Sequence, residues 1–343
     1  MAANPVLEAF GNARTVKNNN SSRFGKFIRV FFNNSGHITG AQIEHYLLEK
    51  TRIVFQASEE RNYHIFYYLL YGANEEERRT LGLSSNTKYN YLCNGRVDPH
   101  IFTDQYDRQQ WQLLQQTMNE VGITHEEQQQ IMSLMAVILH LGNIEFKTTT
   151  PPMESGTAGS AVINRDVLAL CAKLLGIEEV QLQSTLTGRS FQSGNRQTQY
   201  RIPLTPAQGK ETCAALAKSI YHLLFDWLIV RINTSLSPKQ HIQSNACIGV
   251  LDIYGFEVFN ENSLEQLLIN YANERLQQLM SEHWFKFEQQ EYEREGISWS
   301  HIDTNERCCI DILEHKTNGL LSLLDEEGRV PKGSDEVRSG SDQ

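Results

Sequence analysis

Hydrophobic and polar positions along the chain form helix-like and strand-like stretches in alternation, with no internal repeat. Residues 26–32, KFIRVFF, are rich in β-branched and aromatic side chains and predict a strand. The polar residues 33–36 predict a turn that leads into a second strand or the start of a helix. Acidic residues followed by apolar positions at helical spacing predict helices over 59–72 and 126–142. The second has a broad apolar face, so we expect it in the core.

The second half of the chain continues this mixed α/β pattern. Residues 148–160 are polar and rich in Pro and Gly, which predicts a surface loop before a helix that begins near Asn164. A long apolar helix is predicted over 211–236. The uninterrupted apolar run at 246–256 is typical of a strand buried on both faces. Residues 262–295 keep helical spacing over a length that is unusual for a globular domain.

Composition indicates a globular, acidic protein. With 343 residues, 40% of them apolar and 9% aromatic, the chain can bury a large core as one big or two modest domains. The first residues lack the charged start and apolar stretch of a secretory signal, and no run of about 18 uninterrupted apolar residues occurs, which predicts a soluble, intracellular protein. A net charge of -10 argues against a binder of nucleic acid or of anionic membranes. The six cysteines lack metal-ligand spacing and predict reduced thiols.

The first candidate for chemistry is the motif NNNSSRFGK at 18–26, at the mouth of a predicted strand. Clustered Asn and Ser side chains offer short hydrogen-bond donors and acceptors. The hydroxyl of Ser22 is of the kind that binds Mg²⁺, and the guanidinium of Arg23 is of the kind that pairs with a carboxylate or phosphate. An Asn/Ser-rich segment is more often an ordinary turn, so this motif alone leaves both interpretations open.

The second candidate is DIYGFE at 252–257, directly after the apolar run. Phosphate-binding α/β proteins place a metal-facing carboxylate at the end of a strand, as Asp252 would be, and Gly255 lets a backbone N–H approach a terminal phosphate. A strand-end cap is the ordinary alternative for Asp252. Because Arg23 and Glu257 carry opposite charges, one in each motif, they could close over a nucleotide as a bidentate pair.

Five blocks of sequence together resemble the myosin motor family. NPVLEAFGNARTVKNNNSSRFGKFIRV is similar to its switch I region, and GVLDIYGFEVFNENSLEQLLINYANERLQQ to its switch II and relay helix. The remaining blocks are LLEKTRIVFQASEERNYHIFYYLL, AVILHLGNIEF and AALAKSIYHLLFDWLIVRIN. They occur in the family's order over residues 4 to about 335. The resemblance implies an α/β, helix-rich fragment of a P-loop-NTPase-type motor domain, with the upper actin-binding subdomain, part of the central sheet and the relay helix.

The resemblance also implies a division of the chain. Switch I and the upper subdomain would occupy 1–245, and the switch II strand, relay helix and relay loop 246–300. The lower subdomain would begin at 301–335, and 336–343 is an unpatterned tail.

Roles for the first motif follow from the resemblance. Asn18 and Asn20 would contact the nucleotide, Ser21 would help to position the attacking water, and Ser22 would ligate Mg²⁺. Arg23 would pair with the acidic residue of the second motif when the site closes. Such a site stabilises charge on a transferring phosphoryl group without a covalent intermediate.

In the second motif, the resemblance makes Asp252 an outer-shell ligand of the magnesium and Gly255 a donor to the γ-phosphate. Glu257 would be the partner of Arg23. The helix at 262–295 would transmit small shifts of switch II to distant parts of the motor. Apolar periodicity fits a plain core helix equally well, because it reports burial rather than motion.

A third candidate is the segment at 189–204, RSFQSGNRQTQYRIPL, which has three arginines and no acidic residue in an otherwise acidic chain. It resembles the actin-facing loop of the upper subdomain, with Arg189, Arg196 and Arg201 as candidate actin contacts. Thr198 falls where some myosins carry a phosphorylatable residue, and a phosphate there would alter the actin contact. The alternative is an ordinary solvated loop.

The chain departs from the family pattern in lacking GxxxxGK[ST], the loop whose backbone and Lys hold the phosphates. We therefore expect a fragment truncated at both ends that does not hydrolyse ATP alone, with exposed apolar surface and marginal stability. Three hypotheses follow: part of a cytoplasmic, cytoskeletal actin-based motor that uses Mg·ATP within a myosin complex, a nucleotide-independent actin- or partner-binding module, or a non-functional product. The tyrosine in DIYGFE and Thr198 favour an unconventional class.

Overall fold

The computed structural model describes residues 3–93, 103–149, 159–192, 199–237, 246–259, 262–298 and 307–329. The chain forms two compact units, Met1–Ile253 and Tyr254–Gln343. The strands are β1 (Asn12–Ala13), β2 (Ser21–Ser22), β3 (Gly25–Phe32), β4 (Ile38–Tyr46), β5 (Phe146–Thr148), β6 (Ser160–Val162), β7 (Gly188–Gln192), β8 (Gln199–Pro203) and β9 (Ala246–Asp252). The helices are α1 (Asn4–Gly11), α2 (His64–Gly72), α3 (Glu75–Leu81), α4 (Asp104–Val121), α5 (His125–Gly142), α6 (Arg165–Leu175), α7 (Glu179–Thr187), α8 (Pro206–Leu236), α9 (Leu264–Arg294), α10 (Arg307–Glu314) and α11 (Leu320–Arg329).

The largest sheet confirms the strand and turn predicted near the start of the chain. β3 lies between β4 and β9 and pairs antiparallel with both. The turn between β3 and β4 is tight because the Oδ1 of Asn33 accepts hydrogen bonds from the backbone N–H groups of Ser35 and His37. Gly36 takes the left-handed conformation there, with φ of 76°. The segment after the turn is therefore a second strand.

The prediction that the 246–256 run is buried on both faces is wrong. β9 forms, but it ends at Asp252 and all seven of its residues are exposed. β9 pairs with β3 on one side, and its other edge has no strand partner within the described ranges. The apolar run reports which residues are present, whereas burial depends on partners that a local pattern does not reveal.

The core of the first unit is built on α5 and α8. α5 matches the helix predicted at 126–142, and its side chains from Met135 to Leu141 are almost completely buried. α8 begins five residues before its predicted start because Thr205 and Gln208 form a capping box there. Its Tyr221 donates a hydrogen bond to the carbonyl oxygen of Phe10, 2.7 Å away, which ties α1 to the core.

By length and composition alone, α8 is apolar enough to cross a membrane, and it is the one such helix in the described part of the chain. Its buried side chains belong to the core of this unit and pack with those of α5 and β4. The helix predicted near Asn164 is confirmed as α6, and that residue lies at its N-cap. The loop predicted at 148–160 falls mostly outside the described residues, although its two ends belong to the β5–β6 hairpin.

The helix predicted over 59–72 starts later than its acidic residues suggest. α2 begins at His64, and Glu59 has a positive φ of 69°. Glu60 does not lie in a first helical turn, because its carboxylate pairs with Arg52 at 2.8 Å. The amide of Asn62 donates to the carbonyl oxygen of Ile53. Side chains that the local pattern assigned to the start of a helix therefore make long-range contacts instead.

The second unit is dominated by the 31-residue helix α9, which confirms the long helix of the prediction. Ser263 and Gln266 form its capping box, and Gly296 follows its end in the left-handed conformation. Large apolar side chains on this helix are exposed, among them Leu279, Met280, Trp284 and Phe287. α9 is therefore not a plain core helix within this unit.

Candidate functional site

The first motif runs from the β1–β2 hairpin, a two-stranded sheet of its own, into the start of β3. β1 and β2 pair with Asn12 opposite Ser22 and Ala13 opposite Ser21. The loop between them is ordered by its own hydrogen bonds: the backbone N–H of Asn20 donates to the Oδ1 of Asn18 at 2.9 Å. Asn18 and Asn20 are exposed, and the two serines are half-buried. The Asn/Ser segment is therefore a turn whose polar side chains are accessible to a ligand.

The amide of Asn20 is fixed by side chains from outside the loop. Its Oδ1 accepts a hydrogen bond from the Nδ2 of Asn12 at 3.1 Å and lies 3.1 Å from the Nε2 of His64. Its Nδ2 donates to the Oε2 of Glu8. Burial, assisted by the charges of Arg61 and then Arg52, lowers the pKa of His64 to about 3. A neutral His64 therefore donates from Nε2 to Asn20.

Arg23 is buried at the end of the loop, with 1% of its surface exposed. Its Nε donates to the Oε2 of Glu49 at 2.6 Å, and its Nη1 donates to the Oγ of Ser21 at 3.2 Å. Burial acts to raise the pKa of the Glu49 carboxyl, but the charges of Arg52 and Arg23 outweigh it and hold that pKa below its ordinary value. Glu49 is thus an ionised partner of Arg23 that the sequence patterns did not point to.

Asp252 reaches the same end of the sheet from the other strand. It pairs in register with Lys26, and the Nζ of Lys26 lies 3.0 Å from its Oδ2. Lys26 is the last residue of the first motif and Asp252 the first residue of the second, so the register joins the two motifs at this pair. About half of the Asp252 side chain, 52%, remains exposed. Within the described residues, no group of three or more His, Cys, Asp or Glu side chains is arranged to hold a metal ion.

The rest of the second motif belongs to the other compact unit and is held on α9. The Nδ2 of Asn270 donates to the carbonyl oxygen of Glu257 at 2.7 Å, and its Oδ1 accepts from the N–H of Glu257 at 2.8 Å. The Nδ2 of Asn273 donates to the carbonyl oxygen of Tyr254 at 2.9 Å. Gly255 is exposed, with open space where a Cβ would lie. The pairing of Glu257 with Arg23 stays a prediction.

Asn270 and Asn273 were missed by the sequence analysis, although one signal was available. The two asparagines are three residues apart in a predicted helix and so lie on one face of it. Polar amides on the same helical face are candidates for holding a neighbouring backbone segment. Glu49 and His64 gave no comparable signal, because they contact Arg23 and Asn20 across long stretches of sequence. Arg52 gave none either, because it reaches this segment through Glu49.

The basic segment forms the β7–β8 hairpin, with Arg189 opposite Ile202. Arg189 is exposed. The Nη2 of Arg201 donates to the carbonyl oxygen of Ser184 and to the Oγ1 of Thr187, both at 3.0 Å, which fastens the hairpin to α7. The two other candidates in this segment, Arg196 and Thr198, lie outside the described residues. Cys93, Cys171, Cys213 and Cys247 are free thiols in this structure.

Comparison with known proteins decides the family. The model of the myosin head (motor domain) family matches residues 1–339. The chain belongs to the myosin motor family. This myosin chain is 45% identical over 335 residues to the myosin-I heavy chain of Dictyostelium discoideum, covering 97% of the chain and 14% of that protein. It is 42% identical over 359 residues to the unconventional myosin-IXa of Homo sapiens, covering 98% of the chain and 14% of that protein.

A third relative is myosin-2 of Lachancea kluyveri, 44% identical over 339 residues, of which the chain covers 21%. The myosin chain therefore spans between a seventh and a fifth of the length of these curated relatives. The resemblance drawn from the switch-like motifs is confirmed at the level of the family. Its helices and small antiparallel sheets are those of a fragment of a myosin motor domain.

Proposed function

We propose that this chain is the nucleotide-sensing segment of an actin-based motor, whose activity is ATP hydrolysis coupled to movement on actin filaments. The observation that supports the proposal is the cross-strand register of Lys26, the last residue of the first motif, with Asp252, the first residue of the second. A strand-end carboxylate beside a loop of hydroxyls and amides suits a magnesium-bound phosphate. Its location would be the cytoplasmic cytoskeleton.

The side chains present fit Mg·ATP. The Asn18 and Asn20 amides are exposed, the hydroxyl of Ser22 is partly accessible, and half of the Asp252 side chain faces solvent. Ser22 would ligate the magnesium and Asp252 would hold its water shell. Bound Mg²⁺ supplies charge neutralisation on the phosphate oxygens. Ser21 and the N–H of Gly255 would orient water and the terminal phosphate, and Arg23 with Glu257 would close the site.

The phosphate-holding loop is not among these 343 residues, so we propose that the chain alone binds Mg·ATP weakly and does not turn it over. The test is a titration of the isotope-labelled chain with Mg·ATP, followed by amide chemical shifts. We expect shifts at 18–23 and at Asp252, with a Kd in the millimolar range, that disappear in Ser22→Ala. The matched control is Ser35→Ala, in the exposed turn after β3.

Two results would overturn this reading. If Mg·ATP causes no chemical-shift changes, or changes only at residues outside both motifs, the chain does not have the nucleotide-sensing role. Micromolar binding lost in Arg23→Ala, or phosphate release above that of buffer, would show that the switches form a competent site without the phosphate loop.

Actin is the partner that the β7–β8 hairpin favours, because Arg189 is exposed while Arg201 fastens the hairpin to the fold. An exposed cation on a hairpin that is fastened to the fold is suited to a partner with an acidic surface, and we propose actin as that partner. We expect the chain to co-sediment with actin filaments at low salt, and Arg189→Glu to weaken this binding about tenfold. Binding that ignores Mg·ATP would favour a nucleotide-independent module, and equal binding by Arg189→Glu would exclude this hairpin.

A further inference from the structure

Four buried charged side chains form a connected group beneath the hairpin loop: Arg23, Glu49, Arg52 and Glu60, which we call the buried clamp. None of the four side chains is more than 10% exposed. The Oε2 of Glu49 accepts from the Nε of Arg23 at 2.6 Å and from the Nε of Arg52 at 2.7 Å. The Nη2 of Arg52 lies 2.8 Å from the Oε2 of Glu60. Arg52 therefore bridges the two carboxylates.

The buried clamp holds both ends of the loop. At the end of the loop, Glu49 binds Arg23. At its start, the Oε1 of Glu60 accepts the backbone N–H of Val16 at 3.3 Å. The Nη1 of Arg52 donates to the carbonyl oxygen of Arg61, whose own N–H donates to the carbonyl oxygen of Arg14. Through Glu49, Glu60 and the backbone of Arg61, the guanidinium of Arg52 is thus linked to residues on both sides of the Asn/Ser segment, namely residues 14, 16 and 23.

Charge and shape explain why an arginine stands at this position. The buried clamp contains two cations and two carboxylates, so its members compensate one another where water is excluded. Arg52 uses Nε, Nη1 and Nη2 toward different acceptors, which a planar guanidinium does and a single ammonium does not. Burial acts to raise the pKa of Glu49, but the charge of Arg52 helps to hold that pKa below its ordinary value.

We propose that Arg52 is a positioning residue that holds the two ends of the loop together and so presents Asn18, Asn20 and Ser22 in a fixed arrangement. Arg52 acts through Glu49 and Glu60 and has no contact role with the nucleotide. That the loop so presented receives a nucleotide rests on the proposed function. The holding itself does not, and it is measured without nucleotide.

The test is hydrogen–deuterium exchange of the purified full chain. In Arg52→Met we expect the amides of 14–23 to exchange at least tenfold faster, while those of α5 change much less. The matched control is Arg61→Met, which removes another buried arginine from an ion pair, that with Asp107 at 2.9 Å. When the two variants are compared at the same loss of protection in α5, Arg61→Met should accelerate amide exchange in the loop less than Arg52→Met does.

Arg52→Met leaves the carboxylate of Glu60 without its ion-pair partner and can prevent folding. The charge-balanced double variant Arg52→Met/Glu60→Gln therefore decides the matter. We expect the protection of α5 to return toward that of the unchanged chain while the loop stays at least tenfold faster. The amide exchange of the loop could instead recover together with that of α5, or both segments could exchange faster by the same factor. Either result would show that Arg52 serves the stability of the whole unit and would overturn the proposal.

Discussion

Single buried side chains set the chemical state of the groups that support the loop. His64 shows this most directly, because it is 2% exposed and lies beside the cations of Arg61 and Arg52. Its pKa of about 3 keeps the imidazole neutral, which makes the hydrogen bond to Asn20 independent of pH in the neutral range. A charged imidazole at this site would be repelled by the neighbouring cations of Arg61 and Arg52.

This lowered pKa predicts an acid-sensitive contribution to stability. Between pH 6.5 and about 3, the unfolded chain binds a proton at His64 that the folded chain does not bind. The free energy of unfolding should therefore fall as pH drops through this window, by at most about 1.4 kcal/mol per pH unit, and gain nothing above it. Urea unfolding between pH 5 and 7 measures this slope, which should be smaller in His64→Gln.

His37→Gln provides the matched control, because His37 lies exposed in the turn after β3. We expect this control to keep the slope of the unchanged chain. An unchanged slope in His64→Gln would mean that another group titrates in its place and that burial of His64 does not control the acid side of the stability curve.

At the scale of elements, the predictable features were those encoded by nearby residues. α5, α8 and α9 followed from apolar periodicity, and their limits follow from capping boxes and from the glycine after α9. The hairpin loop was readable as a turn. The start of α2 was not, because Glu60 is drawn to Arg52 by a contact that no local pattern shows.

The candidate site divides in the same way. The motifs that contain Arg23 and Asp252 were recognisable because their residues are adjacent in sequence. The partner of Arg23 was not, since Glu49 is 26 residues away. The exposure of β9 could not be predicted from the sequence either, because an apolar strand has the same composition whether its faces are buried or exposed.

Among the described residues, the edge of β9 that faces away from β3 has no strand partner, which predicts self-association that a charge should suppress. Ile248 and Val250 lie on one face of the strand and are 58% and 50% exposed. An exposed, apolar edge strand is a template for pairing with another chain. Val250→Lys should therefore lower aggregation, measured by light scattering at matched concentrations, with helix content unchanged by circular dichroism.

The neighbouring strand offers a control for this substitution. Ile28 pairs with Val250 in register but packs against the core, so Ile28→Lys should reduce folding and increase aggregation. If Val250→Lys aggregates as readily as the unchanged chain, then β9 is not the surface through which the chain self-associates.

At the scale of the whole chain, apolar burial is distributed unevenly between the two compact units. The contiguous core draws its residues from Ala3 to Leu236, all of them in the first unit. In the described part of the second unit, the apolar side chains that are buried are Tyr254, Ile269 and Ile310. Since burial of apolar surface drives folding, the second unit should have far less free energy to hold its helices.

This imbalance predicts two unfolding transitions, and two equally buried isoleucines can assign them. Ile138 in α5 and Ile269 in α9 are 0% and 3% exposed. Urea unfolding followed by far-UV circular dichroism should show α9 melting first. Ile269→Ala should move only the early transition to lower urea, whereas Ile138→Ala should move only the late one, by about 2–5 kcal/mol for a buried truncation. A single transition that both variants shift would mean that the chain unfolds as one cooperative body. The expectation that much of it is marginally stable would then be wrong, because α9 would share the stability of the core despite its exposed apolar side chains.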